Sequence, residues 1–262
     1  AVYSGGRNIV LKGEAVVKGE PLTENISASG WTCGSDAVIG GIMYTSGDIA
    51  IGDNVKLAVT EYRQSSGTLN IGEGGNLQCS GNYINGGTVT SAGTVSVSDD
   101  SKITGAHTGG TFKAKGNVDA SAALKPDVLK FESKLSQSFY NSAATQTDRL
   151  EINNTSSGGF YVNSIINVAQ KFDNKCKKLN NASNIRLNSD VLDKNVLDYD
   201  VCTDGEFKVS AGEEIYIKGN LILKSGARVI IEDGGKLTVK KHVSSQSSSF
   251  DIDKGGSMQI ND

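Results

Sequence analysis

Apolar residues in this chain recur in short alternating runs broken by turns rich in Gly, Asp and Asn. In Ser225–Val239 the run Val229, Ile231 is followed by Glu232-Asp233-Gly234-Gly235 and then by Leu237, Val239. The same spacing, apolar at 0, +2, +8 and +10, fits Ile49, Ile51, Leu57, Val59 across GDNVK and Leu69, Ile71, Leu77, Cys79 across GEGGN. It also fits Phe250, Ile252, Met258, Ile260 across DKGGS, and Val95, Val97, Ile103 across SDDSK with Gly105 in the last slot. Residues at i and i+2 share one face of a strand, so each copy predicts two short strands that bury one face and wet the other. Two architectures meet that description: a hairpin meander, or a solenoid in which each turn is a corner and each strand stacks on its counterpart one coil away. Ile49 to Leu69 is 20 residues, Leu69 to Val95 is 26 and Val229 to Phe250 is 21. These lengths suit one coil of a parallel β-helix, and the expected class is all-β.

A shorter phrase recurs near both ends: Ile9-Val-Leu11-Lys-Gly-Glu-Ala15-Val-Val17-Lys resembles Ile215-Tyr-Ile217-Lys-Gly-Asn-Leu221-Ile-Leu223-Lys. It predicts that the two ends belong to one solenoid domain, 1–262. The pattern changes in the middle. Leu124, Val128, Phe131, Leu135 and Phe139 fall four, three, four and four apart, the stripe of an amphipathic helix. Pro126 and Asp127 suit its first turn. The reading is one flanking α-helix over 126–143. Strands are expected at Arg149–Ile152 and Phe160–Val168, and an irregular excursion at Lys171–Asp204.

Composition sharpens this picture. Gly is frequent (32 residues) and Pro rare (2), as tight turns between short strands require. The net charge of −3 comes without a basic run that could grip a phosphate backbone, so no nucleic-acid partner is expected. No apolar run of membrane-spanning length occurs. The chain starts at Ala1 without Met or a signal-like segment, consistent with a mature or excised domain. Cys33, Cys79, Cys176 and Cys202 form an even set without CxxC, read as two disulfides rather than zinc ligands or buried thiols. Proximity favours Cys33–Cys79 and Cys176–Cys202. The second would staple the excursion, closing its loop for roughly 3 kcal/mol.

Candidate chemistry is sparse. His107 and His242 are the two histidines, and neither has a nucleophile motif beside it. Asp99-Asp100, Glu73 and Glu232-Asp233 occupy turn slots, where acidic residues are favoured for turn geometry alone. A polysaccharide-cleaving site would need two of them paired across a groove. No catalytic residue and no cofactor is assigned. Asp190, Asp193, Asp198, Asp200 and Asp204 offer the hard oxygens that calcium prefers, but their spacing matches no calcium motif. Ice binding needs a ladder of Thr, and Thr88-Val-Thr90 is the one clean Thr-x-Thr. Trp31, Tyr44, Tyr62 and Tyr83 could form an aromatic platform for sugars or protein. With the loop residue His107, the ligand-binding candidates are Trp31, Tyr44, Tyr62 and His107.

A resemblance follows from the order of segments. The Gly-punctuated strand block Gly40-Gly-Ile-Met-Tyr-Thr-Ser-Gly-Asp-Ile-Ala-Ile-Gly, then Gly116-Asn-Val-Asp-Ala, then the segment 126–143 and a return to strands, resembles the adhesive β-solenoid domains called choice-of-anchor A on bacterial surface proteins. It is also similar to the β-helical ectodomains of minor type IV pilins, and solenoid plus helix is similar to the common microbial ice-binding fold. The resemblance implies an extracellular or pilus-tip module that attaches to protein or glycan on a host, a matrix or a neighbouring cell, without catalysis. A self-assembling surface subunit, an ice-binding protein and a polysaccharide-acting enzyme are the alternatives.

Overall fold

The computed structural model describes residues 9–17, 22–181, 184–187, 196–197, 200–203 and 206–261. Among them the fold is an all-β parallel solenoid of about 12 turns, with no α-helix. The chain divides into two compact units, Ala1–Ser133 with Gln137–Ala144, and Lys134–Ser136 with Thr145–Asp262. No helix among the described residues is long and apolar enough to cross a membrane.

Each coil of the N-terminal unit makes three strand-forming runs, one for each of three faces. On the first face Ile49–Ile51 stacks on Thr68–Ile71, and that on Thr88–Ser91. On the second, Asn76–Cys79, Thr94–Val97, Thr111–Ala114 and Val128–Ser133 follow one another. On the third, Tyr83–Asn85, Ser101–Ile103, Val118–Ala120 and Gln137–Asn141 do the same. All these pairings are parallel because every coil travels in the same sense. Period two sends one set of side chains inward. Leu57, Leu77, Val95, Phe112 and Leu129 form one such column, each fully buried. Burying a side chain of this size is worth about 1.5–3 kcal/mol.

Polar residues occupy some inward slots next to corners, and there they serve the turn backbone. Asn85 accepts from the Gly87 N–H at 3.0 Å and donates to the Gly105 carbonyl. Gln137 donates to the Ala114 and Gly116 carbonyls at 3.1 and 2.7 Å. Asn141 accepts from the Ala143 N–H at 2.9 Å and donates to the Ala122 carbonyl at 3.1 Å. These bonds answer the desolvation that buried polar groups would otherwise carry.

The C-terminal unit repeats the three-face plan. Val201–Thr203, Leu221–Leu223 and Val243–Ser245 stack on one face. Glu206–Val209, Arg228–Ile231 and Ser249–Ile252 stack on the next. Glu214–Ile217, Lys236–Val239 and Ser257–Ile260 stack on the third. In the turn between Ile231 and Lys236, the Gly235 N–H donates to the Glu232 carbonyl at 2.8 Å and Gly234 has φ +72°. A left-handed residue at the third turn position is what glycine supplies without a Cβ clash. The spacing template is met in register here: Val229 pairs with Phe250, Ile231 with Ile252 and Leu237 with Met258. It is also met by Ile49 with Leu69 and Leu57 with Leu77. The copy beginning at Val95 is one strand out of phase, since Val95 pairs with Leu77 and Phe112 on the second face.

Three expectations are corrected. The helix over 126–143 is two strands, Val128–Ser133 and Gln137–Asn141, paired with the preceding coil. The buried residues are Leu129, Phe131, Gln137, Phe139 and Asn141, a period-two set, whereas Leu135 of the apparent helical stripe is 76% exposed. The inward Gln137 and Asn141 are polar, which disguised the alternation. That correction also removes the helix from the segment order behind the resemblance.

The four cysteines are thiols, not two disulfides. Cys33 lies on the first face, in line with Ile51 and Ile71. Cys79 lies on the second face, in line with Val59, in the coil of Ile71. Two coil steps put them roughly 9–10 Å apart along the axis alone, beyond the Cα reach of a disulfide. Cys176 sits in a corner, its N–H donating to Asn174 Oδ1 and its Sγ donating to the Lys178 carbonyl at 2.7 Å. Cys202 is buried within Val201–Thr203. Burial pushes the Cys33 thiol up to about 11 and the Cys79 thiol higher still. The native protein should therefore give an aromatic disulfide reagent one fast thiol, the half-buried Cys176, and four after denaturation. A count of zero in denaturant without reductant would restore the disulfides.

The excursion 171–204 is, where described, more of the solenoid: Leu179–Asn180 pairs with Phe160–Val162, and Ile185–Leu187 with Ile166–Asn174.

Candidate binding site

Most acidic and amide side chains at the corners are already occupied in joining coils. Asp36 Oδ1 accepts from the Lys56 N–H, Asp48 Oδ1 from Thr68, Asp53 Oδ1 from Glu73 and Asp100 Oδ1 from Asn117, at 2.7–2.9 Å. Asp200 does the same for Asn220 at 2.7 Å in the C-terminal unit. Glu232 binds Lys208 at 2.6 Å and accepts from the Ala211 N–H. The hydrogen bond from Lys208 holds its carboxyl below the usual range. These residues act as clips that satisfy the backbone of the next coil. The calcium candidates Asp190, Asp193, Asp198 and Asp204 lie outside the described residues. Among the described residues no group of three or more His, Cys, Asp or Glu is placed to hold a metal ion.

The third face of the N-terminal unit differs. Its central outward column runs Tyr44, Arg63, Ile84, Lys102, Asp119, Tyr140, each the strand partner of the next. Tyr44 is 40% and Tyr140 46% exposed. The Arg63 guanidinium lies 5.8 Å from the Tyr44 ring centre and pairs with Glu61, so this end of the column is held in place. Between the two tyrosines a groove of about 220 Å³ opens over Asn82, Ile84, Asp100, Lys102, Asn117 and Asp119. Lys102 and Asp119 are strand partners, and no ion pair joins them. Lys236 and Glu214, placed in the same way in the C-terminal unit, pair at 2.6 Å.

The residues singled out from the sequence are scattered by this geometry. Trp31 is 1% exposed and fills the core, its Nε1 donating to the Ala15 carbonyl at 2.8 Å. Tyr62 is fully buried, stacked on Tyr83 with ring centres 5.7 Å apart, and its oxygen accepts from Thr45 Oγ1. His107 is fully buried, edge-on to Phe112 at 5.4 Å. Only Tyr44 of the four faces solvent. The neighbours that complete its column were missed because they recur 17 to 21 residues apart without a fixed period. The usable signal is local: each is the middle residue between two inward-facing ones on a third-face strand.

Comparison with protein-family models, with curated proteins and with solved structures finds no match.

Proposed function

We propose that the chain is an extracellular, non-enzymatic adhesion module that holds a ligand of a host, matrix or neighbouring cell on the third face of its N-terminal unit. The observation that carries this reading is the groove with its adjacent Lys102 and Asp119 unpaired to each other, on a fold whose corner residues Asp36, Asp48, Asp53 and Asp200 are spent on its own backbone. A ligand can satisfy such groups, and the rigid stack of strands holds them in a preformed array at little ordering cost. The absence of catalysis is supported by the carboxylates tied into turns and by His107, whose ring is fully buried with no route to solvent.

The test is attachment of the fluorescent protein to cells, matrix proteins and glycan arrays. Attachment is expected, and the double variant Tyr44→Ala, Tyr140→Ala should lose most of it with the β-sheet circular dichroism unchanged. Uniformly blank surfaces, or attachment indifferent to both tyrosines, would sink the reading.

A further inference from the structure

We infer that the occupant of this groove is a linear, neutral polysaccharide strand lying along the solenoid axis; the inference rests on the adhesion reading above. Its first support is spacing. Six coils contribute one outward side chain each from Tyr44 to Tyr140. At about 4.8 Å per coil the two tyrosines stand roughly 24 Å apart. An extended chain of pyranose rings advances by close to one coil spacing per sugar, so each coil meets one ring.

The second support is the pattern of donors and acceptors. Asp100 uses Oδ1 on the Asn117 N–H, leaving Oδ2 as an acceptor; Asn117 uses Oδ1 on Ser138, leaving its NH₂ as a donor. Asn82, Lys102 and Asp119 add an amide, an ammonium and a carboxylate. Sugar hydroxyls both donate and accept, so they can engage every one of these groups. Ile84 between them, and the exposed tyrosine at each end, offer apolar surface to the C–H face of a ring. One lysine against two aspartates in the groove disfavours a polyanion, and the mixed signs give no reason to prefer a polycation.

The experiment is titration calorimetry with cello-, xylo-, chito- and malto-oligosaccharides of two to seven sugars. Binding is expected for at least one series. Affinity should rise with length until five or six sugars span both tyrosines. Tyr44→Ala and Tyr140→Ala should each weaken the hexaose about tenfold while leaving the disaccharide almost unaffected. Ser96→Ala on the second face serves as the control that should change nothing. If all four series fail to bind yet cell or matrix attachment persists and still needs the tyrosines, the ligand is a protein; the glycan inference then falls and the adhesion reading stands. Binding without length dependence, or equal in both tyrosine variants, also overturns it.

Discussion

Replacing Ile231 by Asp is expected to unfold the C-terminal unit. Ile231 is fully buried, in the inward column between Val209 and Ile252. A carboxylate there either loses its hydration without a partner or takes up a proton, and its branched aliphatic volume is gone as well. Such substitutions cost more than about 4 kcal/mol, a large share of the 5–15 kcal/mol that holds a typical domain together. The check is a thiol assay in native buffer: Cys202, buried in the same unit, should become reactive. Ile252 is the control. It occupies the next place in the same column but is 47% exposed, so Ile252→Asp should leave Cys202 protected. The double variant Glu232→Ala, Asp233→Ala changes only the adjoining turn and should leave the fold intact. A protected Cys202 in Ile231→Asp would mean that the column is not a core.

That contrast shows what the sequence could and could not convey. The +2 and +8 spacing reads the inward direction at Val229, Ile231, Leu237 and Val239 because hydrophobic residues fill every slot. It fails where Asn85, Gln137 and Asn141 fill inward slots, since a polar residue inside is recognised only by its bond to the corner backbone. The aromatic candidates failed for a related reason. In Lys56–Gln64 the buried residues are Leu57 and Val59, then Tyr62 and Gln64, so the inward parity switches at the corner. In Ala37–Thr45 the register shifts between Ile39 and Ile42, and Tyr44 ends facing out between buried Met43 and Thr45. Nothing local in the two tyrosines tells them apart. The groove itself joins residues of successive coils, and that contact exists only once the coil lengths are known.

The N-terminal unit should lose stability as pH falls from 6.5 to 4, and His107 should be the main cause. Its side chain stands in the inward column between Val89 and Leu124, with the Phe112 ring against it. Burial pushes its pKa down to about 4, with a backbone hydrogen bond at Gly109 and the nearby Asp127 carboxylate pulling the other way. In the unfolded chain the same imidazole titrates near 6.5. Between those values the unfolded state binds more protons than the folded one, so stability is fully present above pH 6.5 and declines toward pH 4. A gap of this width amounts to on the order of 3 kcal/mol. Trp31, the one tryptophan and buried in the same unit, reports the transition by fluorescence. Glu132 also contributes near the acid end: burial opposes its ionisation, but hydrogen bonds from Lys113 and Lys130 prevail and hold its pKa low. That loss is common to the wild type and to His107→Leu, so it cancels when the two are compared. His107→Leu keeps an apolar group in the slot and should flatten the dependence between pH 6.5 and 4. Parallel curves for the two proteins would show that the imidazole is protonated in the folded core without penalty, and that its surroundings are more polar than the packing of Val89, Phe112 and Leu124 allows.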